Sequence, residues 1–331
     1  MLTRYPLFAA GMSALVLTLA ACGGGGGFVS STPPPPTPTP TPNPTPTPTL
    51  ANVTIFANPA AGDYATVGAS ISGPGGNLDT YSSADERFGT VSSADQDQPH
   101  IRYASGYYEI EMPGTAWDPL VPYQGMVNPP ADNNYFQPQS VAMNYAYLAT
   151  TNARENGYSY SELGSWSSDA ASRWGWVAFG EPTPSVGVPV TGSASYAGSV
   201  AGSADIMSAD YLYGGYDTTP IAGTVALNFD FGKGTFDGAM SLSLSDYVTS
   251  VDLGTFDFKD TVFSAGSTSY SGKFDTNATG DNFFVGRFTG PSAEETIGAW
   301  ALPFEFSNGT VILPADDQTH QAMGAWIAKR P

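Results

Sequence analysis

Cysteine is almost missing from this chain: Cys22 is the only one in 331 residues. No intrachain disulfide can form, so a folded core must rest on packing alone. Basic residues are scarce, eleven against thirty acidic ones, for a formal net charge of −19. That balance repels nucleic acid and anionic lipid faces, and excludes both as electrostatic partners. With two histidines, His100 and His320, mechanisms built on a general-base imidazole have few options. What is abundant is glycine (38), tyrosine (18) and phenylalanine (18), with only 12% charged residues. Such a composition reads as all-β.

The one cysteine closes an apolar run, Ala14-Leu-Val-Leu-Thr-Leu-Ala-Ala-Cys22, which follows Arg4 and opens onto five glycines. The run is short for a spanning helix of ~20 residues and fits a cleaved signal over residues 1–21. Leu19-Ala20-Ala21-Cys22 resembles the lipobox of bacterial lipoproteins, which implies cleavage before Cys22 and acylation of its thiol. Gly23 and Gly24 follow with no acidic residue, which resembles an outer-membrane sorting pattern. The chain is expected to attach to the outer membrane through this lipid anchor only, and to face the cell exterior. Residues 22–50 form a tether; the proline–threonine run Pro33–Thr49 favours polyproline II and spans roughly 50 Å at ~3.1 Å per residue.

The second half alternates strictly. Val225, Leu227, Phe229 and Phe231 share one face, and Thr224, Ala226, Asn228 and Asp230 the other. Gly232-Lys233-Gly234 turns the chain into a return run that aligns Phe236, Gly238, Met240, Leu242 and Leu244. The same period predicts strands near 191–206, 221–231, 234–245, 251–259, 268–275, 281–290, 296–306 and 320–329. The glycines of the first are placed at a barrel bend. Eight such strands are expected to close into an antiparallel barrel over 188–331, preceded by a smaller β-rich domain over 51–187. In that first part, Tyr103–Met112 is expected to be one strand and Val141–Leu148 another, with Tyr158–Trp166 and Arg173–Phe179 as a pair. Residues 117–139, rich in Pro, Asn and aromatics, read as an extended loop.

Phe288-Thr-Gly-Pro-Ser-Ala-Glu-Glu-Thr-Ile-Gly-Ala-Trp300 resembles the barrel signature of the transferrin-binding protein B family of surface lipoproteins. Phe179-Gly-Glu-Pro-Thr-Pro184 with Val190–Gly198 is similar to the family's approach to its first barrel strand, and Gly324–Arg330 to its closing strand. Ile297 departs from the pattern, where glycine is more usual, so a different local turn is expected after Glu295. The resemblance covers residues 179–330 and implies one lobe, a handle-like domain plus a barrel. It further implies binding of a host or environmental protein, or a haem-like ligand, in acquisition of iron, haem or another nutrient, alongside an outer-membrane transporter.

Candidate binding residues are aromatics in predicted loops, where tyrosine and tryptophan anchor interfaces: Trp117, Tyr123, Tyr135 and Phe136, and Tyr211, Tyr213 and Tyr216. They serve either as exposed anchors or as packing between the two domains. An eight-stranded barrel can be filled by its own side chains, which favours loops over the lumen. His100 and His320 are conceivable haem ligands, as are the loop tyrosines, though no cofactor is expected. Catalytic motifs are poor: there is no Gly-x-Ser-x-Gly elbow, Walker loop or metal-spaced His/Cys set. Glu109 and Glu111 lie ~7 Å apart on one strand face, a spacing found in inverting glycosidases and equally in solvated strand faces. The acidic pairs Glu294–Glu295 and Asp316–Asp317 read as structural. The expectation is a monomeric, non-enzymatic ligand-binding lipoprotein. An adhesive or structural surface protein is the first alternative, and a glycoside hydrolase using Glu109 and Glu111 the second.

Overall fold

The alternating segments of the second half form eight antiparallel strands: β10 (Ser193–Ala204), β11 (Thr219–Asp230), β12 (Thr235–Ser245), β13 (Ser250–Val262), β14 (Ser269–Phe274), β15 (Phe283–Thr289), β16 (Glu295–Glu305) and β17 (Thr319–Lys329). Each pairs with its chain neighbour, and β10 pairs with β17, so the sheet closes into a barrel. The computed structural model describes residues 54–72, 88–123, 134–140, 146–206, 219–245, 250–305 and 319–331. The expected signal segment and tether, 1–50, lie outside them.

The inward positions fill the barrel. Phe229, Phe236, Tyr270, Phe284, Phe288, Trp300 and Trp326 pack into one buried cluster with Leu227, Met240 and Leu242. Ring centroids within it lie as close as 4.9 Å between Phe229 and Phe236, in an aromatic packing worth ~0.5–1.5 kcal/mol per pair beyond area burial. The inward glycines make this filling sterically feasible. Gly298 sits opposite Trp326 and Gly324 opposite Trp300. Gly286 faces Tyr270, and Gly272 faces Phe284. A Cβ at Gly298 would lie 2.1 Å from Trp326 Cε2. In β10, a Cβ at Gly202 would meet the Trp300 ring, while one at Gly198 would meet the Ile327 carbonyl of β17.

The outer face of β16 and β17 is buried as well. Ile297, Ala299, Ala301, Met323, Ala325 and Ile327 meet Val67, Ala69, Ile71, Leu163, Trp174 and Ala178 from the first part of the chain. Small alanines on the barrel wall let the second layer approach closely. Ile297 therefore lies within a strand and fills this layer, correcting the expected turn after Glu295.

That second layer is a nine-stranded sheet: β1 (Gly62–Asp63), β2 (Ala65–Ser72), β3 (His100–Ala104), β4 (Tyr107–Glu111), β5 (Asp118–Pro122), β6 (Tyr135–Pro138), β7 (Ala146–Thr150), β8 (Ser161–Ser168) and β9 (Arg173–Gly180). Its order is β1-β3-β4-β5-β6-β7-β8-β9-β2, so its edge strands β1 and β2 are chain neighbours and the sheet nearly closes. Ile101, Tyr108, Ile110, Leu120, Phe136, Leu148, Trp166 and Phe179 form its own core. The expected strand over Tyr103–Met112 is instead a hairpin, turned by Ser105 (φ 56°) and Gly106 (φ 90°). The expected loop over 117–139 contains two strands, β5 and β6. The expected strand near Val141–Leu148 is represented by β7, residues 141–145 lying outside those described.

Candidate ligand-binding site

The molecule has two unlike ends. Because antiparallel strands alternate in direction, the strand termini Asp230/Thr235, Val262/Ser269 and Thr289/Glu295, joined by short turns, lie at one end, and Ala204/Thr219, Ser245/Ser250, Phe274/Phe283 and Glu305/Thr319 at the other. The sheet is fastened to the barrel at the short-turn end, among other places. There Ser161 Oγ lies 2.7 Å from Thr289 Oγ1, and Pro182 bridges to Thr289. The Glu295 carboxylate accepts the Ser159 and Tyr160 amides at 2.7 and 3.1 Å. Burial holds the Glu295 carboxyl above its ordinary pKa, and these amides only partly offset that. The first described residues arrive at this same end, where the Phe56 ring packs 6.0 Å from that of Phe179.

At the opposite end a cleft of about 350 Å³ opens among strand termini of the sheet. Met112, Trp117, Pro138, Ala146 and Ala170 give it a mostly apolar lining. After β4 ends, the Met112 carbonyl accepts hydrogen bonds from the Thr115 amide and hydroxyl, each at 2.9 Å. This turn carries Trp117 back over the hairpin, where its ring lies 4.2 Å from the Arg102 guanidinium carbon. Arg102 is itself ion-paired with Glu109 across the β3–β4 ladder. Asp118 accepts hydrogen bonds from Ser140, its amide at 2.8 Å, fixing the cleft's other lip. An apolar slot beside a half-buried tryptophan that an arginine stacks on, with the Asp118 carboxylate at its lip, suits an apolar side chain flanked by a polar group.

The sequence-nominated residues are not brought together. Trp117 lines the cleft. Tyr123 and Tyr135 lie at the other end of β5 and β6, joined by the Tyr123 amide to the Tyr135 carbonyl at 2.9 Å. Tyr135 is 37% exposed. Phe136 is a core residue, 5% exposed and packed inside the sheet, which removes it from ligand contact. Tyr211, Tyr213 and Tyr216 lie outside the described residues, as do Cys22, Asp316 and Asp317. Glu109 is engaged by Arg102, and Glu111 lies across from His100. His100 Nε2 lies 3.2 Å from the Asp95 carbonyl. His320, 6% exposed, sits with Nδ1 3.3 Å from the buried Asp205 carboxylate. No group of three or more His, Cys, Asp or Glu converges as a metal site among the described residues.

Arg102 beneath Trp117 and Met112 at the cleft escaped sequence reasoning, because their places depend on the β3–β4 register. So did Glu162, a buried carboxyl that accepts the Thr151, Ala153 and Leu163 amides. Desolvation pushes its pKa up to about 7.

No protein-family model and no curated protein matches the chain. Among solved structures it is similar to a mutant of the vaccine antigen transferrin binding protein B from Actinobacillus pleuropneumoniae, with 15% identity and TM-score 0.38, covering 82% of this chain and 100% of that one. It is similar to HpuA from Kingella denitrificans, solved in complex with human haemoglobin, with 13% identity and TM-score 0.38, covering 70% and 83%. A double mutant of transferrin binding protein B from Haemophilus parasuis matches with 14% identity and TM-score 0.37 over 80% of this chain. This chain spans 44% of that protein's chain.

Proposed function

We propose that the chain is a lipid-anchored outer-membrane protein that holds its binding end away from the cell and captures an extracellular protein in nutrient acquisition, handing its cargo to an outer-membrane transporter. The observation that carries this reading is the molecule's polarity. The first described residues arrive at the short-turn end, while the Trp117 cleft opens at the opposite end. Ligand-binding residues concentrate on loops held by a rigid scaffold, and here the scaffold is a barrel without room in its lumen. Tethered through Cys22 and the proline-rich segment, that end is the one a soluble partner meets first. Acyl anchors on Cys22 supply stable attachment, and the net charge of −19 suits a basic patch on the partner.

Transferrin and haemoglobin are the first ligands to test, by biolayer interferometry with the full acylated protein in detergent and its Trp117→Ala variant. Saturable binding of either carrier, weakened about ten-fold or more by the substitution, supports the reading. Binding unchanged by Trp117→Ala moves the site elsewhere, and no binding of either carrier removes iron-carrier capture.

A further inference from the structure

Asparagine followed by a residue other than proline and then threonine occurs at Asn52, Asn277 and Asn308. Such a sequon accepts an N-linked sugar when the chain is exported and the asparagine stands on a surface loop. Only Asn277 also has an acidic residue two positions before it, in Asp275-Thr276-Asn277-Ala278-Thr279, the longer form of the sequon that bacterial export systems use. Leu50 and Phe306 hold that place before Asn52 and Asn308, both of which lie outside the described residues.

The Asn277 loop joins β14 to β15 at the end opposite the short turns, and its stem is tied down. Asn282 closes it, Oδ1 accepting the Phe274 amide at 2.8 Å and Nδ2 donating to the Phe274 carbonyl at 2.9 Å. The Asp281 carboxylate accepts the Val91 amide at 2.6 Å, and the Asp281 amide donates to Gln321 Oε1 at 3.0 Å. Between these anchors residues 276–280 make no backbone–backbone hydrogen bond among the described residues. Half-buried Thr276 accepts the Ala278 amide on its hydroxyl at 3.2 Å, and Asn277 and Thr279 are exposed on either side of Ala278. Neither the Asn277 carboxamide nor the Thr279 hydroxyl is hydrogen-bonded among the described residues. Asp275 pairs with Lys259 Nζ at 2.8 Å, but both side chains are more than half exposed, and an ion pair of that kind is weak.

We propose that Asn277 is an N-glycosylation site, modified after export by a transferase that draws on an oligosaccharide linked to a polyisoprenyl diphosphate. The Asn277 amide nitrogen bonds to the anomeric carbon as the carbon–oxygen bond to the diphosphate breaks. The diphosphate leaves with that electron pair, and the displaced amide proton passes to a base of the transferase, so neither oxidant nor reductant is needed. A carboxamide nitrogen is a weak nucleophile, and one already committed to a hydrogen bond is weaker still; that of Asn277 is uncommitted. A loop without backbone pairing can bend into an enzyme's cleft while its tied stem keeps the barrel intact. Thr279 and Asp275 then offer the enzyme a hydroxyl and a carboxylate on either side of the asparagine. Export of the chain, as proposed above, is the precondition.

The test is a tryptic map of the full-length protein recovered from fractionated cells of the bacterium that makes it, with electron-transfer fragmentation of the peptide Phe274–Arg287. The expected result is a hexose- or hexosamine-containing mass increment on this peptide, localised to Asn277, in protein from the outer membrane. The increment should be lost in Asn277→Gln and Thr279→Ala, retained in Thr279→Ser and sharply reduced in Asp275→Ala. These positions are exposed, so thermal unfolding of the variants should match that of the unglycosylated protein, and the map of the unsubstituted protein needs no variant. A Phe274–Arg287 peptide found wholly unmodified in outer-membrane protein overturns this proposal and leaves export standing. Unmodified protein confined to the cytoplasm overturns both. Sugar that persists in Asn277→Gln, on Asn52, Asn308 or a hydroxyl, overturns the assignment to Asn277.

Discussion

Trp326 lies directly across from Gly298 in the β16–β17 register, and its indole occupies the space where a side chain at 298 would begin. The reciprocal pair, Trp300 opposite Gly324, sits two residues along the same ladder. The two indoles thus interlock through the two glycines, and both are fully buried. The strands that interlock are also the ones whose outer faces carry the sheet, so barrel filling and layer packing are coupled here.

Gly298→Val is therefore expected to cost about 3 kcal/mol or more, because an overpacked core must shift backbone as well as rings. Trp326→Ala is expected to cost about 3–5 kcal/mol through the cavity it leaves. In urea unfolding the double substitution should lose clearly less than the sum, since each change relieves the fault of the other. Strict additivity would show that the two positions do not share space.

Glu162 sets a pH dependence. Its folded pKa, about 7, lies above the ordinary carboxyl value because burial penalises the charged form. A raised carboxyl pKa contributes stability that is complete below about pH 4.5 and is lost as pH rises through about 7, some 3 kcal/mol in all. Thermal unfolding should give a lower midpoint at about pH 8 than at about pH 5, and Glu162→Gln should flatten much of that slope. An unchanged slope in the variant would assign the effect to other groups, Glu295 foremost among them.

Asp205 ties the barrel to the first part of the chain at the end opposite the short turns. Its side chain is 2% exposed, and its carboxylate accepts the Gln321 amide at 2.9 Å and the Phe88 amide at 3.4 Å. Asp205→Ala should destabilise by about 1–3 kcal/mol and speed hydrogen exchange at those two amides. Protection unaltered at Phe88 would mean that the sheet segment is held by packing alone.

How much of this was legible in the sequence depends on what each feature needs. The barrel strands were readable because every second residue from Val225 to Phe231 and from Phe236 to Leu244 points inward, and a period of two needs no knowledge of partners. The role of Gly298 was not, since it lies in the ring of a residue on another strand. The β3–β4 hairpin was hidden by its Ser105-Gly106 turn, a weaker signal than Asn-Gly, and by alternation on both flanks. Strands β5 and β6 were masked by Pro119, Pro122 and Pro138, which remove ladder donors yet are accommodated in short pairings. Of the nominated aromatics, Trp117 reached a cleft because the Met112–Thr115 turn returns it over Arg102. Phe136 reached the core because β6 turns it inward.

The most direct test of the central claim is labelling of intact cells. Cys22, once acylated, leaves no free thiol, so Ala116→Cys beside the Trp117 cleft provides a single reactive site. A membrane-impermeant maleimide should label this variant on intact cells as fully as after lysis, with Cys22→Ser abolishing retention at the surface. Labelling seen only after the outer membrane is permeabilised would contradict a binding end held outside the cell.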